Sequence, residues 1–164
     1  MLYNDKNIVG WKNGTVLSNQ YNPADPLPFS EIMTALPAKV RDFLGRPEPV
    51  KMLVTADANG QPRGIVCGSI FVPDEETLAI GEVFMNVTKS NLESNPKAAI
   101  TVAFGPEAYN INVSVISRSE EGEMLDALNG RLSKINLSAK AVWLFRVESV
   151  FDEGINPNAG KLIS

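Results

Sequence analysis

The stretch NVTKSNLESNP, residues 86–96, is the part of the sequence around which the predicted fold is organised. Thr88 is predicted to cap a short helix, because its hydroxyl can accept a hydrogen bond from a first-turn amide. Asn95 stands before proline, where helical geometry is disfavoured, so we predict that the helix ends there. Leu92 should face inward and Glu93 outward. Such a short helix is marginal alone and must be held by the strands around it.

The start of this helix is also a candidate anion site. The free first-turn amides, the Thr88 hydroxyl, the Lys89 ammonium and the Asn91 amide can all donate hydrogen bonds, and helix N-termini attract anions. Two interpretations follow from this stretch: a cradle for a phosphate, or a capped connecting helix that binds nothing.

The composition is that of an ordinary globular domain. The chain has 164 residues, of which 44% are hydrophobic and 21% charged, enough for one domain with a substantial core. The net charge of −4 comes without a Lys/Arg cluster, so we expect neither nucleic acid nor an anionic membrane as a partner. No signal peptide or membrane-spanning stretch is predicted.

Cysteine and histidine usage restricts the chemistry. Cys67 is the only cysteine in the sequence, which excludes an internal disulfide and fits a reducing compartment such as the cytoplasm. Histidine is absent, which removes it as a general base or metal ligand, so no metal site is predicted. Redox or group-transfer chemistry would then be carried by a bound organic cofactor.

The N-terminal region differs from the rest of the chain. Residues 1–29 are polar and rich in turn formers, and the proline-rich run at 22–28 cannot be helix or central strand. We predict an N-terminal arm at 1–29 and one domain at 30–164. The arm either lies on its own domain or crosses onto a partner subunit.

Residues 50–151 alternate between strands and turns. Strands are predicted at 50–56, 64–72, 77–82, 98–104, 109–117 and 141–151, with helices at 38–44, 88–95 and 120–132. Asp57 to Gly60 is predicted to form a hairpin turn. The second strand contains small residues, and a glycine such as Gly68 inside a strand marks a bulge or the close approach of another group.

This order predicts a mainly β fold with peripheral helices. All connections permit antiparallel pairing, and a closed or split barrel removes exposed sheet edges. We therefore predict a six-stranded antiparallel split β-barrel.

Three segments resemble the pyridoxamine-phosphate-oxidase-like family of FMN-binding split barrels. They are MLVTADANGQP at 52–62, the Thr-x-x-Asn-Leu-x-x-Asn-Pro run at 88–96, and AAITV at 98–102. The resemblance extends from about residue 36 to 152. It implies an FMN-binding split barrel that forms a homodimer, with the flavin at the dimer interface.

The resemblance also implies positions for the cofactor. The phosphate would meet Thr88, Lys89 and Asn91, and the flavin ring would lie along the second strand at Val66, Cys67, Gly68 and Ser69. The alternative for the second group is a strand with a bulge and no ligand. Trp143 and Arg146 stand where the oxidases have a tryptophan and an arginine near the flavin, and they could equally be plain strand residues.

The chain departs from the true oxidases in ways that affect its predicted function. The second strand has no charged residue from Ile65 to Ile70, Val87-Thr88 replaces an Arg-Lys pair, and the substrate-binding histidine is missing. Pyridoxamine phosphate is therefore not the expected substrate, and the catalytic residues are unknown. The predicted function is an FMN-dependent oxidoreductase of unknown substrate. The alternatives are a flavin-binding or electron-transfer protein without its own substrate and a cofactor-less interaction module.

Overall fold

The computed structural model describes residues 34–164. The predicted arm at 1–29 lies outside the described residues, so its role and the domain boundary at residue 30 stay predictions.

The described chain contains three α-helices, one short 3-10 helix and eight strands. In chain order they are α1 (Ala38–Gly45), β1 (Val50–Ala56), β2 (Pro62–Val66), β3 (Ile70–Phe71), β4 (Thr77–Gly81), α2 (Asn86–Ser94), β5 (Lys97–Phe104), β6 (Glu107–Ser119), α3 (Glu123–Leu132), the 3-10 helix (Ser133–Ile135), β7 (Val142–Asp152) and β8 (Lys161–Leu162).

The strands form one curled antiparallel sheet. Their order is β2-β1-β5-β6-β7-β4-β3, and β8 pairs with β7. β2 and β3 are at opposite ends of this order, yet Val66 and Ile70 are only four positions apart in the chain. Four residues span at most about 14 Å, so the sheet must curl back on itself. The mainly β, antiparallel split-barrel prediction is therefore confirmed.

The predicted number of six strands is wrong, because the second predicted strand is two strands. Its first part pairs with β1, and the amide of Cys67 still donates to the Lys51 carbonyl at 2.8 Å. Two residues later, the Ser69 hydroxyl donates to the Gly81 carbonyl at 2.9 Å, and β3 then pairs with β4. The small residues at 67–69 let the chain change partners at this corner. The short strand β8 adds the eighth.

The barrel interior is apolar, as the strand periodicity predicts. Leu53, Ile100, Ile111 and Phe145 are fully buried on β1, β5, β6 and β7. The opposite face of β6 is polar, and Asn110 and Asn112 form hydrogen bonds there with each other and with the neighbouring strands. Burial on one face with polar residues on the other is typical of antiparallel sheets.

The helix α2 begins earlier than predicted. Its first residue is Asn86 and its N-cap is Met85, so the prediction of Thr88 as the N-cap is wrong. Thr88 is instead buried within the first turn of the helix. The predicted end before Pro96 is confirmed, and Leu92 is buried while Glu93 is exposed.

The helix α3 packs on the outside of β4 and β7. Leu125, Leu128 and Leu132 form a small core with Ala79 and Val142. Gly81 permits this close approach, since a Cβ there would lie 3.2 Å from the Ala139 Cβ and in direct conflict with the Leu128 side chain. Leu132, the last residue of the helix, and Gly81 both line one cavity.

Candidate functional site

A cavity of about 250 Å³ opens beside the corner between β2 and β3. One wall is formed by residues 65–69, the second by Gly81 and residues 83–85, and the third by Leu132, Ile135 and Leu137. Most of these side chains are apolar. A largely apolar ligand suits such a cavity better than a charged one.

All four residues predicted to lie along the flavin ring contribute to this cavity. Val66 is largely exposed at its rim, and Cys67 is buried in its wall. A Cβ placed on Gly68 would meet no atom within 4 Å, so the glycine leaves open space against the backbone. The structure therefore places residues 66–69 on one concave surface.

The thiol of Cys67 is held in its protonated form. Burial raises its pKa above the ordinary value, although the hydrogen bonds with Ser69 act in the opposite direction. Its Sγ lies 3.5 Å from the Ser69 hydroxyl oxygen. A thiol in this state is a weak nucleophile, so the wall of the cavity offers packing rather than covalent chemistry.

The residues predicted to meet a phosphate lie on α2, which starts directly after the second wall of the cavity. Thr88 and Asn91 are both buried, and the Asn91 amide donates to the Thr55 hydroxyl at 3.0 Å. Lys89 is partly exposed. These three side chains do not line the cavity itself, whereas residues 84 and 85, at the start of the helix, do.

A buried carboxylate that was not among the predicted site residues stands in the chain between Gly81 and residue 83, which both line the cavity. Glu82 follows β4 and is 5% exposed. Its Oε2 accepts hydrogen bonds from Arg118 Nε at 2.7 Å and Trp143 Nε1 at 2.9 Å. Its Oε1 accepts from Arg118 Nη2 at 3.0 Å and lies 4.0 Å from Lys89 Nζ.

These contacts keep Glu82 ionised. Burial alone would raise its pKa, but the hydrogen bonds from Arg118 and Trp143 and the charges of Arg118 and Lys89 outweigh it. The pKa of Glu82 therefore lies below its ordinary value of 4.5. The hydrogen bond with Glu82 in turn raises the pKa of Arg118.

The cations of this cluster are already paired with carboxylates. Arg118 also contacts Glu120 at 2.6 Å, and Lys89 lies 3.9 Å from Glu93. Counting Glu82, three carboxylates share two cations, so the cluster carries no excess positive charge.

Strand register is the signal that could have identified the cluster. Trp143 is opposite Arg118 on β6 and opposite Ile80 on β4, two positions before Glu82. An ionisable residue at the end of an apolar strand is visible in the sequence, but its partners are 36 and 61 positions away. The Trp143 indole donates to Glu82, and its proximity to a flavin stays a prediction.

No group of three or more acidic, cysteine or histidine side chains is arranged to hold a metal ion within residues 34–164. In the same part of the chain, no helix is long and apolar enough to cross a membrane.

Comparison with known protein families assigns the chain to a class. Residues 36–153 match the family model described as pyridoxamine 5'-phosphate oxidase. Because this match covers more than half of the sequence, the chain belongs to the pyridoxamine 5'-phosphate oxidase family. The resemblance seen in the sequence is thereby confirmed.

One similar protein is an uncharacterized protein of Methanocaldococcus jannaschii. It is 28% identical over 119 residues, which cover 70% of this chain and 80% of that protein.

Solved structures with the same fold have lower sequence identity. HupZ of Group A Streptococcus has a TM-score of 0.65 at 24% identity, over 76% of this chain and 99% of that one. An FMN-binding protein of Syntrophomonas wolfei has a TM-score of 0.65 at 19% identity, over 70% and 83% of the two chains. HutZ of Vibrio cholerae, a heme storage protein, has a TM-score of 0.51 at 17% identity, over 74% and 97%. These similarities define the fold.

Proposed function

We propose that this protein binds FMN in the cavity beside the β2–β3 corner and acts as a flavin-dependent oxidoreductase. The observation that carries the proposal is the apolar cavity at residues 65–69, with its open backbone at Gly68. A bound flavin would supply hydride or electron transfer, while the protein supplies the binding surface and controls access.

The ring would lie against Val66, Cys67, Gly68 and Ser69. The phosphate would lie at the first turn of α2, where Thr88, Lys89 and Asn91 are the proposed side-chain contacts. In the first turn, the amides of residues 86–88 precede the first intrahelical bond, which Lys89 donates to the Met85 carbonyl. These amides can donate to an anion without any change of secondary structure.

The site would be shared between two copies of the chain. Its volume of about 250 Å³ is below the range of about 300–1,000 Å³ typical of ligand pockets. Three large apolar side chains at its rim are exposed: Val66, Phe84 and Ile135. A homodimer would cover these side chains and complete the cavity. The single cysteine and the proposed flavin redox chemistry fit a protein of the cytoplasm.

Two alternatives concern the ligand and the activity. Heme storage by a protein of similar fold makes hemin the natural comparison ligand, but this sequence contains no histidine, a frequent axial ligand of heme iron. A flavin-binding or electron-transfer protein without its own substrate remains the alternative activity. Anaerobic reduction by NADH or NADPH would distinguish it from an oxidoreductase that uses these donors.

The test of the proposal is titration with FMN, riboflavin and hemin, with the Gly68→Leu variant beside the wild type. A side chain at Gly68 enters open space, so this variant should fold normally and lose flavin binding. Gly45→Leu is the matched control, because Gly45 is equally unobstructed and lies outside the cavity. Retention of FMN by Gly68→Leu, or a preference for hemin, would contradict the proposal.

A further inference from the structure

Two cations, Arg118 on β6 and Lys89 on α2, are paired with an internal carboxylate, that of Glu82. Glu82 accepts two hydrogen bonds from the Arg118 guanidinium. The planar arrangement of guanidinium N–H donors matches the oxygens of a carboxylate or a phosphate. The Lys89 ammonium approaches the same carboxylate at 4.0 Å. Arg118 and Lys89 therefore surround one anion position, and the protein itself fills it.

Glu82 is held there by more than these two cations. The buried indole of Trp143 donates its N–H to Glu82 at 2.9 Å, and the Arg118 guanidinium lies 5.7 Å from the centre of the Trp143 ring. With four contacts and only 5% exposure, the carboxylate is fixed in place. It cannot move aside easily when a second anion approaches.

We propose that Glu82 is a specificity-determining residue that weakens the preference of this site for phosphorylated over unphosphorylated flavin. The inference rests on the proposed function. A phosphate at the first turn of α2 would be attracted by Arg118 and Lys89, but Glu82 neutralises this attraction and repels the phosphate. Riboflavin has no phosphate, so its binding is independent of Glu82.

The decisive measurement is the ratio of FMN to riboflavin affinity in the wild type and in Glu82→Gln. Glutamine keeps an acceptor for Arg118 and Trp143 but removes the charge. We expect Glu82→Gln to bind FMN more tightly by on the order of tenfold, with riboflavin affinity unchanged. The gain should shrink as salt is added, because the partly exposed lysine is screened. A purely structural role of Glu82 would lower both affinities together.

Glu93→Gln is the matched control. This variant also removes a negative charge beside Lys89. Because Glu93 is exposed, however, its ion pair with Lys89 contributes little free energy. We expect less than about a threefold change in the affinity ratio for this variant.

A second variant keeps the inference testable if Glu82→Gln does not fold. Lys89 is a proposed phosphate contact that Glu82 partly neutralises. In the otherwise wild-type protein, Lys89→Gln should therefore lower FMN affinity by less than the roughly tenfold to hundredfold loss expected at an unopposed charge-assisted contact. A loss of tenfold or more would overturn the inference. The inference would also be overturned if the wild type binds FMN and Glu82→Gln has the same ratio of FMN to riboflavin affinity. Absence of binding to either flavin would overturn the proposed function as well.

Discussion

At the scale of single residues, two glycines beside the cavity have opposite surroundings. A Cβ on Gly81 would press on Leu128, Ala139 and Ser69, whereas one on Gly68 would meet nothing. We therefore expect Gly81→Ala to lower the free energy of unfolding by about 1–3 kcal/mol, the usual cost of overpacking. Gly68→Ala should leave the free energy of unfolding unchanged or slightly higher. Urea denaturation of both variants checks this, and equal stabilities would contradict the close packing of α3 on β4.

Glu82 gives a second prediction at this scale, for stability at low pH. Its pKa in the folded protein is below 4.5, so the unfolded chain binds a proton more readily than the folded one. Its contribution to stability is complete above its unfolded pKa and is lost as the pH falls through the lower, folded value. The difference in unfolding free energy between wild type and Glu82→Gln should therefore be constant near neutral pH and decrease in acid. Denaturation at several pH values tests this, with Glu93→Gln as the exposed control. A pH-independent difference would contradict it.

At the scale of secondary-structure elements, α2 links the core to the proposed phosphate site. If Thr88 and Asn91 contribute charge-assisted hydrogen bonds of roughly 1.5–3 kcal/mol each, removal of either should weaken FMN binding about tenfold to a hundredfold. Thr88→Ala and Asn91→Ala are the variants, and Ser90→Ala, on the exposed side of the helix, is the control. Flavin fluorescence follows the titration.

Stability must be measured in the same variants, because Asn91 also bonds to Thr55. A variant that is folded at the titration temperature and has lost FMN but not riboflavin would support a phosphate at this helix. Full retention of FMN by the folded double variant would show that the phosphate lies elsewhere.

At the scale of the whole molecule, the exposed apolar rim of the cavity predicts a homodimer. Large apolar side chains exposed together mark interaction sites, and Phe84 is 82% exposed. We expect light scattering to show a dimer at micromolar concentration. Phe84→Asp should produce a monomer with weakened FMN binding. Ile155→Asp is the control, since Ile155 is 86% exposed but lies away from this cavity. A monomeric wild type would contradict the prediction.

Removal of residues 1–29 provides a separate test of the arm. The truncated chain should form a weaker dimer if the arm crosses onto the partner, and an equally stable one if the arm lies on its own subunit.

The sequence alone determined the elements whose signals are local. Alternating apolar residues predicted the strands, Gly60 adopts the positive φ of +81° expected in the hairpin turn, and Pro96 ends α2 as predicted. The small residues at 67–69 marked the position where the chain approaches a cavity. Each of these features depends on neighbours within a few positions, so the physical cause is visible in the sequence.

Only the tertiary structure decided which distant residues meet. The predicted second strand is divided in two, because the Ser69 hydroxyl donates to the Gly81 carbonyl and residue 69 no longer pairs with β1. The tertiary structure placed the start of α2 at Asn86 and buried Thr88 within the first turn. It also brought Glu82, Arg118 and Trp143 together across three strands. Their contacts depend on sheet register and curvature, which arise from the packing of the whole barrel and not from local sequence preference.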